Sequence, residues 1–131
     1  MQKRAFSQYE AFFAPLPVKA DEPIFFDQRS VGLPFAEDFP KLHYHDRYEI
    51  GICESGEGLF LCEGRYSSVS AGDLMFVAPQ DRHYSRSLHK DELCRCRFLY
   101  VSADAVNAAL GEKARGELGR GRRSRLLLAW A

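Results

Sequence analysis

The chain has 131 residues, 46% of them hydrophobic and 13% aromatic, enough for a single domain with a packed core. Its 18 basic and 18 acidic residues cancel, so the chain as a whole lacks the field that attracts nucleic acid. No apolar run approaches the ~20 residues of a membrane span, and the basic start Met1-Gln2-Lys3-Arg4-Ala5-Phe6 has no signal-peptide apolar stretch behind it. These features predict a cytoplasmic protein in which Cys53, Cys62, Cys94 and Cys96 are reduced, buried thiols.

In chain order, Ser7-Gln8-Tyr9-Glu10 has the pattern of a capping box and predicts a short N-terminal helix, stopped by Pro15 and Pro17. Ile24-Phe25-Phe26 starts a strand, and Gly32 to Pro40 reads as a loop. From Leu42 to Ser102 short β-like runs alternate with turn signals. Leu42 to Cys53 is a long strand. Glu54-Ser55-Gly56-Glu57-Gly58 is a hairpin turn, and Leu59 to Glu63 runs back to a turn at Gly64. Tyr66 to Ser70, Leu74 to Val77 and His83 to Ser87 are further strands, separated by turns at Ala71-Gly72-Asp73 and Ala78-Pro79-Gln80-Asp81. Leu93 to Val101 alternates polar and apolar, placing Cys94, Cys96, Phe98 and Tyr100 on a core face and Arg95 and Arg97 outside. Strands this short and regular predict an all-β sandwich or barrel.

After Ser102, an N-cap by residue type, the period changes to helical, with Val106, Ala109, Leu110, Ala114 and Leu118 as an apolar stripe. Gly111, Gly116, Gly119 and Gly121 weaken that helix, each by about 1 kcal/mol relative to alanine. The segment from Gly111 to Ala131 is basic, without aromatic interleaving or a recognition helix, and reads as a solvated linker. Its apolar end, Leu126-Leu127-Leu128-Ala129-Trp130, calls for a partner surface on the barrel, on a second subunit or beyond this chain. The expected division is 1–102 for the barrel with its N-terminal extension and 103–131 for a helical, basic segment.

The chemistry concentrates in His43-Tyr44-His45-Asp46-Arg47-Tyr48-Glu49 and His83. Period-two alternation puts residues 43, 45 and 49 on one strand face, and His83 can join them from another strand. Imidazole and carboxylate suit Zn, Mn, Fe or Ni. The bland alternative is a polar cluster whose members hydrogen-bond one another or an effector. Arg47 shares the parity of the histidines and would anchor an anionic effector if it points inward; a twist or bulge would turn it out. Tyr44, Tyr48, Phe76 and Tyr84 are candidates for lining an effector pocket, with core packing the commoner fate of such aromatics.

His43-x-His45-x3-Glu49-x6-Gly56 resembles the first cupin motif, and the stretch from Gly72-Asp73-Leu74 through Pro79 to His83 resembles the second. Gln80 stands where the family usually has glycine, and Ser87 where it usually has asparagine. The second motif is most like that of the N-terminal sensor domain of AraC-type transcription regulators, and the similarity covers about residues 20 to 105. The resemblance implies a double-stranded β-helix, a jelly-roll barrel, with His43, His45, Glu49 and His83 at metal-ligand positions. It also implies a small effector in the barrel, a following helix that makes a homodimer, and DNA contact only through a helix-turn-helix domain that the 29 residues after Ser102 cannot hold. The expected function is therefore effector sensing in a transcription regulator. The alternative is a stand-alone metal-dependent cupin enzyme of dioxygenase or isomerase type.

Overall fold

The computed structural model describes residues 11–19, 21–37 and 41–110. Within them lie β1 (Phe12–Phe13), β2 (Ile24–Phe26), β3 (Val31–Leu33), β4 (His43–Tyr44), β5 (Arg47–Ser55), β6 (Glu57–Cys62), β7 (Arg65–Ser70), β8 (Leu74–Val77), β9 (His83–Ser87) and β10 (Cys94–Ser102). A helix, α1, occupies residues 103–110. One sheet has the order β1-β4-β9-β6-β7 and the other β2-β10-β5-β8, with β3 also pairing β10. The β1–β4 pair is parallel and the remaining pairs are antiparallel. The strand spacing predicted a sandwich or barrel, and the jelly-roll form is the one the cupin resemblance implied.

Three local details differ from expectation. The helix predicted from Ser7 begins on residues outside the described set; residues 11–19 are not helical, and Phe12–Phe13 pair with His43–Tyr44. The predicted long strand from Leu42 is interrupted at His45-Asp46, which separate β4 from β5. Part of the predicted loop after Gly32 is strand β3, because Val31–Leu33 find backbone partners in Cys94–Cys96.

The barrel interior is layered along β5. Alternation sends Glu49, Gly51 and Cys53 inward. Glu49 lies opposite Tyr100 and Val77, Gly51 opposite Phe98 and Met75, and Cys53 opposite Cys96. The sequence therefore builds a polar layer at one end, an apolar layer in the middle and a thiol layer at the other end. Met75, Val77, Cys53, Cys94 and Cys96 are all buried to 1% exposure or less and pack with Phe60 and Val69. Burial of one such apolar side chain contributes about 1.5–3 kcal/mol.

The outward residues of β5 serve a second cluster. Tyr48 and Ala78 are buried beneath Ala103, Val106 and Leu110 of α1, together with Phe76 and Val101. The Ser102 hydroxyl accepts a bond from the Ala105 amide at 3.1 Å, as an N-cap should. The rest of the predicted apolar stripe, the basic segment and the apolar end lie outside the described residues. No described helix is long and apolar enough to cross a membrane.

Gly51 sets the thickness of the middle layer. A Cβ there would stand 2.9 Å from both the Met75 methyl carbon Cε and the Phe98 ring. We expect Gly51→Ala to overpack the layer and destabilise the fold by about 1–3 kcal/mol, read as a lower urea midpoint. A midpoint equal to wild type would refute this packing account.

Candidate metal centre

The polar layer gathers side chains from both sheets. β4 supplies His43, the break before β5 supplies His45, β5 supplies Glu49 and β9 supplies His83. His43 and His83 are register partners across β4 and β9. Their rings lie 4.2 Å apart, with His45 at 5.2 Å from His43 and 5.1 Å from His83. Among the described residues, ligand atoms of the three histidines fall within 4.8 Å of one another. Glu49 joins them, with Oε1 3.3 Å from His45 Nε2 and Oε2 3.4 Å from His83 Nε2. The four residues expected from the sequence therefore converge in space.

Backbone carbonyls set the tautomers. Nδ1 of His43 bonds the Lys41 carbonyl at 3.2 Å, Nδ1 of His45 the Ala14 carbonyl at 2.7 Å, and Nδ1 of His83 the Asp81 carbonyl at 2.9 Å. A carbonyl oxygen only accepts, so each Nδ1 carries the proton and, in the neutral ring, each Nε2 presents a lone pair. Metal-ligating histidines are oriented in this way. His83 Nε2 is buried and makes no hydrogen bond, the Glu49 oxygen at 3.4 Å lacking the alignment for one. An orphaned imidazole nitrogen facing a buried carboxylate and two further imidazoles fits a divalent transition metal.

The electrostatics without metal follow from the same contacts. Burial opposes the Glu49 charge, but the adjacent His45 and His83 imidazoles outweigh it and hold its carboxyl at about 2. For His45, burial again opposes the charge; the bonds to Glu49 and the Ala14 carbonyl outweigh it and raise the imidazole. For His43, burial dominates and the neighbouring His83 adds to it, lowering the imidazole.

Tyr100 belongs to this layer although the sequence suggested only core packing for it. It is the register partner of Glu49, with its phenol beside that carboxylate, and packs edge-on against His45 at 5.7 Å. Burial, then the Glu49 charge, push its phenol upward, so it stays a neutral donor. Its strand parity with Cys94 and Cys96 was the available signal.

The other expected ligand-binding residues lie elsewhere. Tyr48 and Phe76 stack at 5.7 Å on the outer face of the sheet, under α1. Tyr84 packs outside the other sheet against the Leu42–Leu61 cluster. Each has a site-facing or core-facing neighbour (Glu49, Met75 or His83), so alternation turns it the other way. Arg47 is buried; its Nη2 donates to the Lys19 carbonyl at 3.1 Å and its Nη1 has no hydrogen-bond partner among the described residues. It lines a cavity of about 470 Å³ with residues of the N-terminal segment, Asp46, Ser102 and Asp104.

Both departures from the cupin motifs have structural roles. Gln80 takes the glycine-like backbone conformation, φ 70°, and its amide donates to the His45 carbonyl at 2.8 Å. Ser87 is fully buried and bonds the carbonyls of His89 and Glu92, closing the turn before β10.

Sequence similarity agrees with this geometry. The model of the AraC-like ligand binding domain family matches residues 35–125. The chain belongs to that family. It is 42% identical over 74 residues to the HTH-type transcriptional activator RhaS of Escherichia coli O81 (strain ED1a), covering 56% of this chain and 26% of that protein. It is also 42% identical over 73 residues to RhaS of Enterobacter sp. (strain 638), covering 56% of this chain and 25% of that protein. The chain thus spans about a quarter of the length of the curated relatives it matches. A Cupin 2 conserved barrel domain protein from Salinispora arenicola CNS-205 superposes with a TM-score of 0.51 at 24% identity, covering 72% of this chain and 76% of that one. That likeness shows the cupin fold.

Two outcomes test the site. In the metal-free protein, the depressed Glu49 contributes stability above its ordinary value of 4.5 that is lost as pH falls toward about 2. The raised His45 contributes stability below 6.5 that is lost as pH rises through its shifted value. Wild type minus Glu49→Gln stability should therefore be largest between 4.5 and 6.5 and shrink on both sides. A difference that keeps growing above 6.5 would contradict the ion-pair account. Gln80→Gly should relieve the left-handed backbone and stabilise the protein by up to about 1 kcal/mol in urea unfolding, and a clear loss would refute it.

Proposed function

We propose that this chain is the effector-sensing, dimerising part of an AraC-type transcription regulator. In this reading it binds a small molecule, pairs with a second copy and acts on DNA through a helix-turn-helix domain outside residues 1–131. Such a protein works in the cytoplasm. Family membership over residues 35–125 supports the reading. One structural observation carries its mechanism: Glu49 and Tyr48 are neighbours on β5, and they face the polar layer and α1 respectively. A ligand that moves Glu49 shifts the strand on which α1 rests. For a regulatory output, its affinity must differ between two arrangements of that helix.

His43, His45, Glu49 and His83 would hold a divalent ion of the Zn, Mn, Fe or Ni class, with three imidazole nitrogens and a carboxylate. Such an ion would offer Lewis acidity and free positions for an effector hydroxyl or carboxylate. The cavity beside Arg47 carries a guanidinium together with the carboxylates of Asp46 and Asp104. That mixture suits a neutral, hydroxyl-rich or zwitterionic molecule better than a simple anion.

The test uses the whole chain. Metal-depleted protein is titrated with Zn, Mn, Fe(II) and Ni salts and assayed by elemental analysis, with His83→Ala alongside. We expect about one equivalent in wild type and at least tenfold weaker binding in the variant. Less than about a tenth of an equivalent after reconstitution would overturn the metal assignment. The metal-loaded and metal-free forms are then screened with small polar metabolites. An effector at about 100 times its Kd adds about 2.7 kcal/mol and raises Tm by several degrees. It should also change hydrogen-exchange protection across 103–110; a bound effector that leaves those amides unchanged would refute the β5-to-α1 route. A metabolite chemically converted by the loaded protein would favour the enzyme reading instead.

A further inference from the structure

At the opposite end of β5 from Glu49, three cysteines meet. Cys53 Sγ stands 3.7 Å from Cys94 Sγ, and Cys94 Sγ stands 3.8 Å from Cys96 Sγ. All three sulfurs lie within 4.8 Å of one another, and each residue is at most 1% exposed. None of the four cysteines forms a disulfide. With bonds to sulfur of about 2.3 Å, three thiolates on one centre have sulfur–sulfur edges of about 3.8–4.0 Å if the centre is tetrahedral or planar and about 3.3–3.5 Å if it is a pyramidal lone-pair centre, a contraction of a few tenths of an ångström. The sulfurs therefore already stand near the separations of a three-thiolate site.

The backbone is shaped around them. A Cβ at Gly58 would lie 2.8 Å from Cys94 Sγ, so glycine there makes room for that sulfur. The Arg95/Cys96 register irregularity lets Cys94 and Cys96 both approach Cys53. Met75 and Phe98 fill the layer above Gly51 and separate the thiols from the histidines. The two clusters are independent.

Charge decides which ligand fits. The trio packs among Phe60, Val69, Met75 and Val77. The Cys53 thiol faces the carbonyl oxygens of Ser55 at 3.6 Å and Gly56 at 3.8 Å, which repel added negative charge. Burial first, then Cys94, raise Cys53 to about 11, and burial with Cys94 and Cys53 raises Cys96 further, so thiolates at these two positions are disfavoured. Three thiolates on a monovalent or divalent cation would leave net negative charge in this apolar layer, which is costly. A trivalent centre leaves none.

We propose that Cys53, Cys94 and Cys96 bind a trivalent thiophilic metalloid of the arsenite class as a neutral three-thiolate complex. Arsenous acid, As(OH)3, exchanges three As–O bonds for three As–S bonds. Each thiol proton leaves with one hydroxide as water, three waters in all. No electron is transferred and no oxidant is required. Binding requires the turn between β5 and β6 to open, since the sulfurs are covered.

The test incubates the reduced whole chain with sodium arsenite and removes free reagent by gel filtration. We expect one arsenic per chain by elemental analysis, a higher Tm, and three sulfur neighbours with no oxygen in the arsenic X-ray absorption spectrum. Cys62→Ser should bind as wild type does, and Cys94→Ala, checked for folding by circular dichroism, should bind at least tenfold more weakly. Failure of folded wild type to bind, oxygen in the arsenic shell, or undiminished binding by folded Cys94→Ala would overturn the proposal. If Cys94→Ala does not fold, the wild-type stoichiometry and absorption spectrum decide alone. Zn(II) or Cu(I) captured by the trio in preference to arsenite would overturn the charge argument. His83→Ala should leave arsenite uptake unchanged, so loss of the histidine site and loss of the thiol site are read separately.

Discussion

The alternation of β5 governs this molecule. It lies between β10 and β8, and its side chains face a sealed interior on one side and α1 on the other. A shift of its register by one residue would carry Glu49 and Cys53 out of the barrel and bring Tyr48, Ile50 and Ile52 in. Nine residues of one strand thus determine where the polar layer, the apolar spacer and the thiol layer stand.

The polar layer is held together by its charges and by the backbone. Glu49 is buried because two imidazoles and the Tyr100 hydroxyl solvate it in place of water. The histidines in turn are oriented by the carbonyls of Lys41, Ala14 and Asp81, which lie in loops rather than in the regular ladders. One of these comes from the N-terminal segment, thirty-one residues away in the chain. The site is therefore closed by a part of the sequence that carries no motif residue. The same logic explains Gln80, whose strained backbone places an amide against the His45 carbonyl.

Family membership and geometry bear on different questions. The match over residues 35–125 places the chain among AraC-like ligand binding domains. The interior explains how a barrel of this kind can carry two chemically distinct clusters without interference. Met75 and Phe98 close over Gly51, where any side chain would collide with both. A nitrogen- and oxygen-lined cluster and a sulfur-lined one are kept apart by a single apolar layer.

Period-two patterning, turn residues and the spacing of His43, His45, Glu49 and His83 were legible in the sequence, because alternation and turn preference are local properties. They predicted a sandwich or barrel, and the cupin resemblance added the jelly roll and the meeting of those four side chains. The buried fate of Cys94 and Cys96 was legible for the same reason. Tyr48, Phe76 and Tyr84 were misplaced in a pocket because aromatic character does not say which face is inside; their parity against Glu49, Met75 and His83 does. Tertiary structure alone decided that Cys53 joins Cys94 and Cys96, that Tyr100 caps Glu49, that Arg47 bonds the Lys19 carbonyl and that α1 covers Tyr48. Those contacts join residues far apart in the chain, and only the packing of two sheets, with their register and bulges, sets which of them meet.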